Sequence, residues 1–311
     1  MRRKIVIDTD PGIDDAVAIL LALASAEVEV IGVTAVAGNV PLAVAERNAR
    51  SICELAGRAD VPVHPGCARP MGRRLVTAEH VHGPSGLGSL VLPLPDRPAQ
   101  AQHGVDFLVE TLRREEAGSV TLCALGPLTT IAMALVKAPE IAVRVRQLVL
   151  MGGASRALGN ITPAAEFNIY VDPHAADIVF ASGIPLVVIP LDLTHQALST
   201  PPRIARLRAL GNRCGMAAAE LLTPAAGEYS TRFPDGLPLH DPCVIAYLLA
   251  PELFEGSAVN VAIETVSELT MGMTVVDWRG VSGRAANAEV MHRIYADGFY
   301  ALLAERLALL P

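Results

Sequence analysis

Four carboxylates fall within eight residues in the stretch Ile7-Asp8-Thr9-Asp10-Pro11-Gly12-Ile13-Asp14-Asp15-Ala16. They stand where an apolar run ends and a helical pattern begins, and in open α/β sheets that carboxyl edge is where ligands bind. Helix capping accounts for one or two of them, because an aspartate in the first turn bonds free N–H groups and suits the helix dipole. It does not account for four, whose mutual repulsion must be offset by a cation or by raised pKa values. Carboxylates without adjacent Cys or His suit a hard ion, and Ca²⁺ accepts about 6 to 8 oxygens in loose geometry, backbone carbonyls included, so calcium is expected ahead of magnesium. The spacing is not that of an EF-hand, so further ligands must come from a distance. His240-Asp241-Pro242 is the best supplier, although Asp241 before a proline at the first helical position also fits an N-cap.

The elements that must hold these residues follow from an alternation of short β-branched runs with longer Ala/Leu-rich runs at helical spacing. The pattern predicts strands at Ile5 to Asp8, Val28 to Val36, Val120 to Leu125, Gln147 to Met151 and Leu186 to Ile189. Helices are predicted at Asp14 to Ser25, Leu42 to Ala56, Leu128 to Lys137, Pro173 to Ser182 and Asp297 to Leu309. The expected fold class is α/β: a single open, mostly parallel sheet with helices on both faces, a Rossmann-like core, and a small C-terminal antiparallel element. The latter is a hairpin formed by Met273 to Trp278 and Ala288 to His292. Pro65 to Pro98 and Gly227 to Leu239 read as loops that border a pocket. The whole chain, residues 1–311, is expected to form one domain.

Composition narrows the partners. A formal charge of -7, with 25 Lys plus Arg against 32 Asp plus Glu, leaves no electrostatic footprint for nucleic acid or anionic lipid. Cys53, Cys67, Cys123, Cys214 and Cys243 are odd in number and widely spaced, which indicates buried thiols instead of a disulfide framework or a zinc site. Met1-Arg2-Arg3-Lys4 imitates the start of a signal peptide, but the apolar run Ile5-Val6-Ile7 stops at Asp8, and no stretch approaches the roughly 20 apolar residues of a membrane span. A cytoplasmic protein without membrane partners is expected.

Taken together, Asp8-Thr9-Asp10-Pro11-Gly12 with Asp14-Asp15, Gly38-Asn39, Met151-Gly152-Gly153, Glu166-Phe167-Asn168 with Val171-Asp172-Pro173, and His240-Asp241-Pro242 resemble the inosine-uridine preferring nucleoside hydrolases. The resemblance is ordered and spans nearly the whole chain. It implies calcium-dependent hydrolysis of the N-glycosidic bond of ribonucleosides, in nucleoside salvage, through a ribosyl oxocarbenium-like transition state. Calcium would be held by Asp10, Asp15, Asp241 and the backbone carbonyl of Leu125, with Asp10 as the base that takes the water's proton. The resemblance places Asp14 and Asn39 on the 2'-hydroxyl side of the ribose, and Asn160, Glu166 and Asn168 on its 3' and 5' hydroxyls. Met151 would line the sugar's apolar face. In extended backbone, residues two apart point the same way, so Glu166 and Asn168 are expected on one pocket wall. His240 is the implied partner of the leaving base, with His82 and Tyr229 in the two loops near it. A homotetramer or homodimer is also implied.

Two departures stand out. Leu128-Thr129-Thr130 occupies a position where the family often has Asn after Leu-Thr, and His174 stands where an acid is common. Asp192-Leu193-Thr194-His195-Gln196 also resembles family sequence and is expected to be structural or to support site residues from behind. Two rival functions remain open at this stage. Asp8-Thr9-Asp10 imitates the D-x-D of a metal-dependent phosphohydrolase, but that chemistry needs a nearby lysine, and the chain has only Lys4 and Lys137. A ribose- or nucleoside-binding module without turnover would lack the base or the acid, and both Asp10 and His240 are present.

Overall fold

The computed structural model describes residues 2–223 and 233–311. Eleven strands are found among them: β1 (Arg3–Thr9), β2 (Val28–Ala35), β3 (Val63–Pro65), β4 (Val120–Ala124), β5 (Val145–Met151), β6 (Leu186–Ile189), β7 (Leu198–Ser199), β8 (Leu237–Pro238), β9 (Phe254–Ile263), β10 (Thr274–Asp277) and β11 (Ala288–Ile294). Nine form one sheet in the order β10-β9-β11-β6-β5-β4-β1-β2-β3, while β7 and β8 pair separately. From β3 to β11 every pairing is parallel; β9 joins β11, and β10 joins β9, antiparallel.

Strand periodicity divides the core in two. Ile5 and Ile7 of β1 pack with Cys123, Val149 and Val187 against the helices Ile13–Leu23, Pro242–Leu249 and Ala296–Leu307. The alternate residues Val6, Leu122, Leu148 and Val188 pack on the opposite face, against Gly104–Arg114, Thr129–Lys137 and Pro173–Phe180. Side chains alternate along a strand, so a strand buried on both faces is apolar throughout. The sheet is thus mostly parallel and open with helices on both faces, as the sequence predicts. The thiols of Cys53, Cys67, Cys123, Cys214 and Cys243 are all free.

The C-terminal region differs from the expected hairpin. β10 and β11 both form, but they do not pair with each other: β9 lies between them and bonds to both. Its residues Val259, Val261 and Ile263 are buried and alternate with half-buried neighbours, whereas Glu255 to Ala258 contain no buried position, so Gly256, Ser257 and Asn260 dilute the periodicity. The helix Gly104–Arg114 was likewise not predicted.

The strand order reverses beside β1, with β2 and β3 on one side and β4, β5 and β6 on the other. At such a switch point the connections leaving adjacent strands diverge and open a crevice at their carboxyl ends. Asp8 to Asp10 end β1 and Leu125 follows β4, and the two ends are tied by Leu125 N–H donating to the Asp8 carbonyl at 2.8 Å. Residues 65–98 run over this edge, irregular apart from the short helix Glu79–His82. Asp172, the N-cap of Pro173–Phe180, anchors them by accepting from Met71 N–H at 2.8 Å while also holding the Thr129 hydroxyl at 2.8 Å.

Candidate active site

The turn after β1 fixes the acids by backbone hydrogen bonding. Asp15 sits in the first turn of Ile13–Leu23, and one of its oxygens accepts from Gly12 N–H at 2.9 Å and from the Asn39 amide at 3.1 Å. The other accepts from the Thr9 hydroxyl at 2.5 Å. Capping therefore describes part of what Asp15 does. It does not describe Asp241, which occupies the N-cap position of Pro242–Leu249 yet makes no side-chain cap bond. Its carboxylate turns to the other acids: ligand oxygens of Asp14, Asp15 and Asp241 lie within 4.8 Å of one another.

Asp10 is fully buried, with Oδ2 accepting from Asn39 N–H at 2.6 Å and Oδ1 without a hydrogen-bond partner among the described residues. A Cβ on Gly38 would lie 2.0 Å from Oδ2, and one on Gly126 would lie 2.3 Å from Oδ1. Only glycine backbone can approach the carboxylate that closely.

Burial, then the charges of Asp15 and Asp14, pushes Asp10 well above the usual carboxylate range. Burial and Asp14 raise Asp15, and burial with Asp14, Asp15 and Asp10 raises Asp241 well above its ordinary value. None of the four acids has an ion pair with Lys or Arg among the described residues. Buried like charges without a cationic side chain, all offering oxygen, fit a hard divalent cation. Lys4 pairs with Glu115 and Lys137 with Asp106, so neither is available to balance a phosphate beside Asp8 or Asp10. Asp8 itself accepts from the hydroxyl of its cross-strand neighbour Thr34 at 2.5 Å, and burial raises it to about 7.

Above the acids opens a cavity of about 1110 Å³. Asp14, Asn39, His82, Leu125, Met151, Asn160, Glu166, Asn168, His240 and Asp241 all line it. Tyr229 lies outside the described residues. Glu166 and Asn168 share the cavity, but not through extended backbone, because Phe167–Val171 is helical and Glu166 is its N-cap. One Glu166 oxygen accepts from Asn168 N–H at 2.9 Å, and the other from Gly153 N–H at 3.0 Å and Ile169 N–H at 3.2 Å. Burial raises its pKa to about 7. The Asn168 amide donates to the Leu125 carbonyl at 2.7 Å, and Asn160 accepts from Phe167 N–H at 2.8 Å. The polar wall is therefore held in place by the protein itself.

Of the three histidines that line the cavity, His80, His82 and His240, the last two have fixed ring nitrogens. His82 Nδ1 accepts from Ile13 N–H at 3.1 Å, which leaves Nε2 as its protonated nitrogen when neutral. His240 Nδ1 meets the Thr194 hydroxyl at 2.7 Å, and desolvation, then His82, lowers its pKa to about 4. From the sequence, Thr9 and Gly126 receive no role, and Thr194 enters only as part of the segment Asp192 to Gln196. Gly126-Pro127 after a strand was the available signal for the glycine; a buried threonine hydroxyl leaves none.

A doubly wound sheet with a cavity of this size over an oxygen-lined acid cluster defines an enzyme for a small polar substrate. More narrowly, the chain belongs to the inosine-uridine preferring nucleoside hydrolase family, whose model matches residues 5–301. It is 54% identical over 309 residues to an uncharacterised protein of Schizosaccharomyces pombe, covering 99% of this chain and 100% of that one. It is 47% identical to the pyrimidine-specific ribonucleoside hydrolase RihA of Shewanella woodyi, covering 99% and 98% of the two chains. Among solved structures, the purine-preferring ribonucleoside hydrolase from Gardnerella vaginalis superposes with a TM-score of 0.91 at 32% identity, covering 98% of each chain. The protein is a nucleoside hydrolase, and the reading as a binding module without turnover is set aside. Among the described residues no helix is long and apolar enough to cross a membrane.

Proposed function

We propose that this chain hydrolyses ribonucleosides to free base and ribose with Ca²⁺ as its cofactor, and that pyrimidine ribonucleosides are its preferred substrates. The carrying observation is the largely buried acid cluster, without a Lys or Arg ion pair among the described residues, on the floor of a cavity lined with polar side chains. The RihA relative supports the pyrimidine preference.

Asp10, Asp15, Asp241 and the Leu125 carbonyl would hold the ion. When bound, it supplies acidification of the attacking water and a fixed point for the ribose hydroxyls. Asp10 Oδ1, buried and without a partner among the described residues, takes the water's proton. Asp14 and Asn39 bind the 2' side of the sugar, while Asn160, Glu166 and Asn168 bind the 3' and 5' hydroxyls. Their own backbone bonds hold them in position before substrate arrives, which lowers the ordering cost of binding. Met151 covers the apolar face of the ribose. As the bond breaks, positive charge gathers on the sugar beside this acidic floor and negative charge on the base, where His240 and His82 donate hydrogen bonds. Direct attack by water inverts the anomeric carbon.

Incubation with uridine, cytidine, inosine and adenosine, followed by assay of free ribose, tests the activity. Release from uridine and cytidine ahead of the purine nucleosides, lost on chelation and restored by calcium, is the expected result. No ribose from any of the four would overturn the reading. We further propose a cytoplasmic homodimer or homotetramer, an assembly that light scattering of the purified protein would reveal.

A further inference from the structure

The contact between Thr194 and His240 does more than fill space. Thr194 is fully buried at the end of the short helix Leu191–Thr194, and among the described residues its hydroxyl has one hydrogen-bonding neighbour, His240 Nδ1 at 2.7 Å. A hydroxyl has one proton to give, and leaving it without an acceptor in the interior forfeits its solvation with nothing in return. If Nδ1 carried a proton, the hydroxyl could only accept, and its own proton would face no acceptor. With the proton on Nε2, Nδ1 accepts and every group is satisfied. We infer that Thr194 is a positioning residue: its hydroxyl donates to His240 Nδ1, fixes the Nε2–H tautomer, and so aims a hydrogen-bond donor at the departing base. The inference rests on the reading of His240 as the partner of the leaving base.

The surroundings make this arrangement rigid. Asp192, two residues earlier, accepts from the backbone N–H groups of Ser155, Arg156 and Ala157 at 2.8, 2.6 and 3.0 Å, which pins the short helix. Leu239 N–H donates to the Ala197 carbonyl at 2.9 Å, and the β7–β8 pair ties the same two segments together. The backbones carrying Thr194 and His240 thus cannot separate without breaking several hydrogen bonds. At His82 a backbone N–H performs the equivalent task on Nδ1. Thr194 does it with a side chain, which mutation can remove.

The test compares leaving groups. On the nucleoside that the wild type cleaves fastest, Thr194→Val should lower kcat about 30-fold or more, a positioning effect somewhat below the range of about 10²–10⁴-fold ascribed to a proton-donating group itself, while KM changes less than about threefold. On 4-nitrophenyl ribofuranoside, whose leaving anion needs no hydrogen bond, the same variant should lose less than about threefold. Thr194→Ser should recover most of the nucleoside activity. Equal losses on both substrates, or no loss on either, would overturn the inference. Nitrogen-15 spectra of histidine-labelled wild type, with His240 assigned through His240→Gln, read the tautomer without altering Thr194; a proton on Nδ1 would also overturn it. A wild type that releases no ribose counts against the proposed function and leaves the tautomer measurement standing.

Discussion

Asp10 differs from the acids around it in what each oxygen meets. Oδ2 is fixed by Asn39 N–H, whereas Oδ1 is buried, has no described partner and is enclosed by the backbone of Gly126. Asp10→Asn keeps the volume but cannot take a proton; we expect an intact circular dichroism spectrum and a kcat lower by about 10²–10⁴ in the ribose assay. Full activity in that variant would assign the base elsewhere. Gly126→Ala places a Cβ 2.3 Å from Oδ1, so the carboxylate must move, and the expected result is loss of both turnover and calcium affinity by titration calorimetry. Much of this was legible in the sequence, because four aspartates within eight residues exceed what capping explains. What could not be read was the allocation of donors. Asp15 both caps a helix and faces the other acids, Glu166 caps a helix from within the cavity wall, and Thr194 is an ordinary residue until the imidazole that its hydroxyl meets is known.

At the level of elements, the parallel half of the sheet was readable because β1, β2, β4, β5 and β6 are short apolar runs separated by helical patterns. The antiparallel edge was not readable. β9 interrupts its apolar residues with the partly exposed Glu255, Ser257 and Asn260, and its partners lie on either side of it in space although both follow it in sequence. Phe167–Val171 is a five-residue helix, too short for periodicity to signal. The long loop at 65–98 was visible as a loop, but its anchor was not: Asp172 accepts from Met71 N–H, the Thr129 hydroxyl and Ala175 N–H together. Asp172→Ala removes an N-cap and leaves two further donors unsatisfied. It should destabilise the protein by about 2–4 kcal/mol in urea melts. It should also hasten amide exchange near Met71; unchanged exchange there would mean that the loop is held by its other bonds.

For the molecule as a whole, the acid floor couples stability to both calcium and pH. A ligand bound only by the folded chain raises the melting temperature by mass action, so chelation should lower it in scanning calorimetry and calcium should restore it. Without calcium, Glu166 adds a pH slope of predictable sign. Its folded value of about 7 stands above the ordinary 4.5, so the folded state holds a proton that the unfolded state has released. The stability from that group is complete below about pH 4.5 and is lost as pH rises towards 7. Melts between about pH 5 and 8 should show the decline, and Glu166→Gln should lessen it, the remainder coming from Asp8, which burial also raises to about 7, and from the raised acids of the floor; a slope unchanged by the substitution would show the Glu166 carboxylate ionised in the fold. The position of β11 sets another condition, this one on biosynthesis. β11 separates β6 from β9, yet it is translated after both, and every residue assigned here to the acid floor and cavity wall precedes it. The nascent chain therefore carries all of these chemical groups before it can close the sheet that holds them. Until Ile294 leaves the ribosome, the edge of β6 lacks its partner and is open to the wrong neighbour. A message truncated before residue 288 would yield an aggregation-prone chain in place of a shorter enzyme.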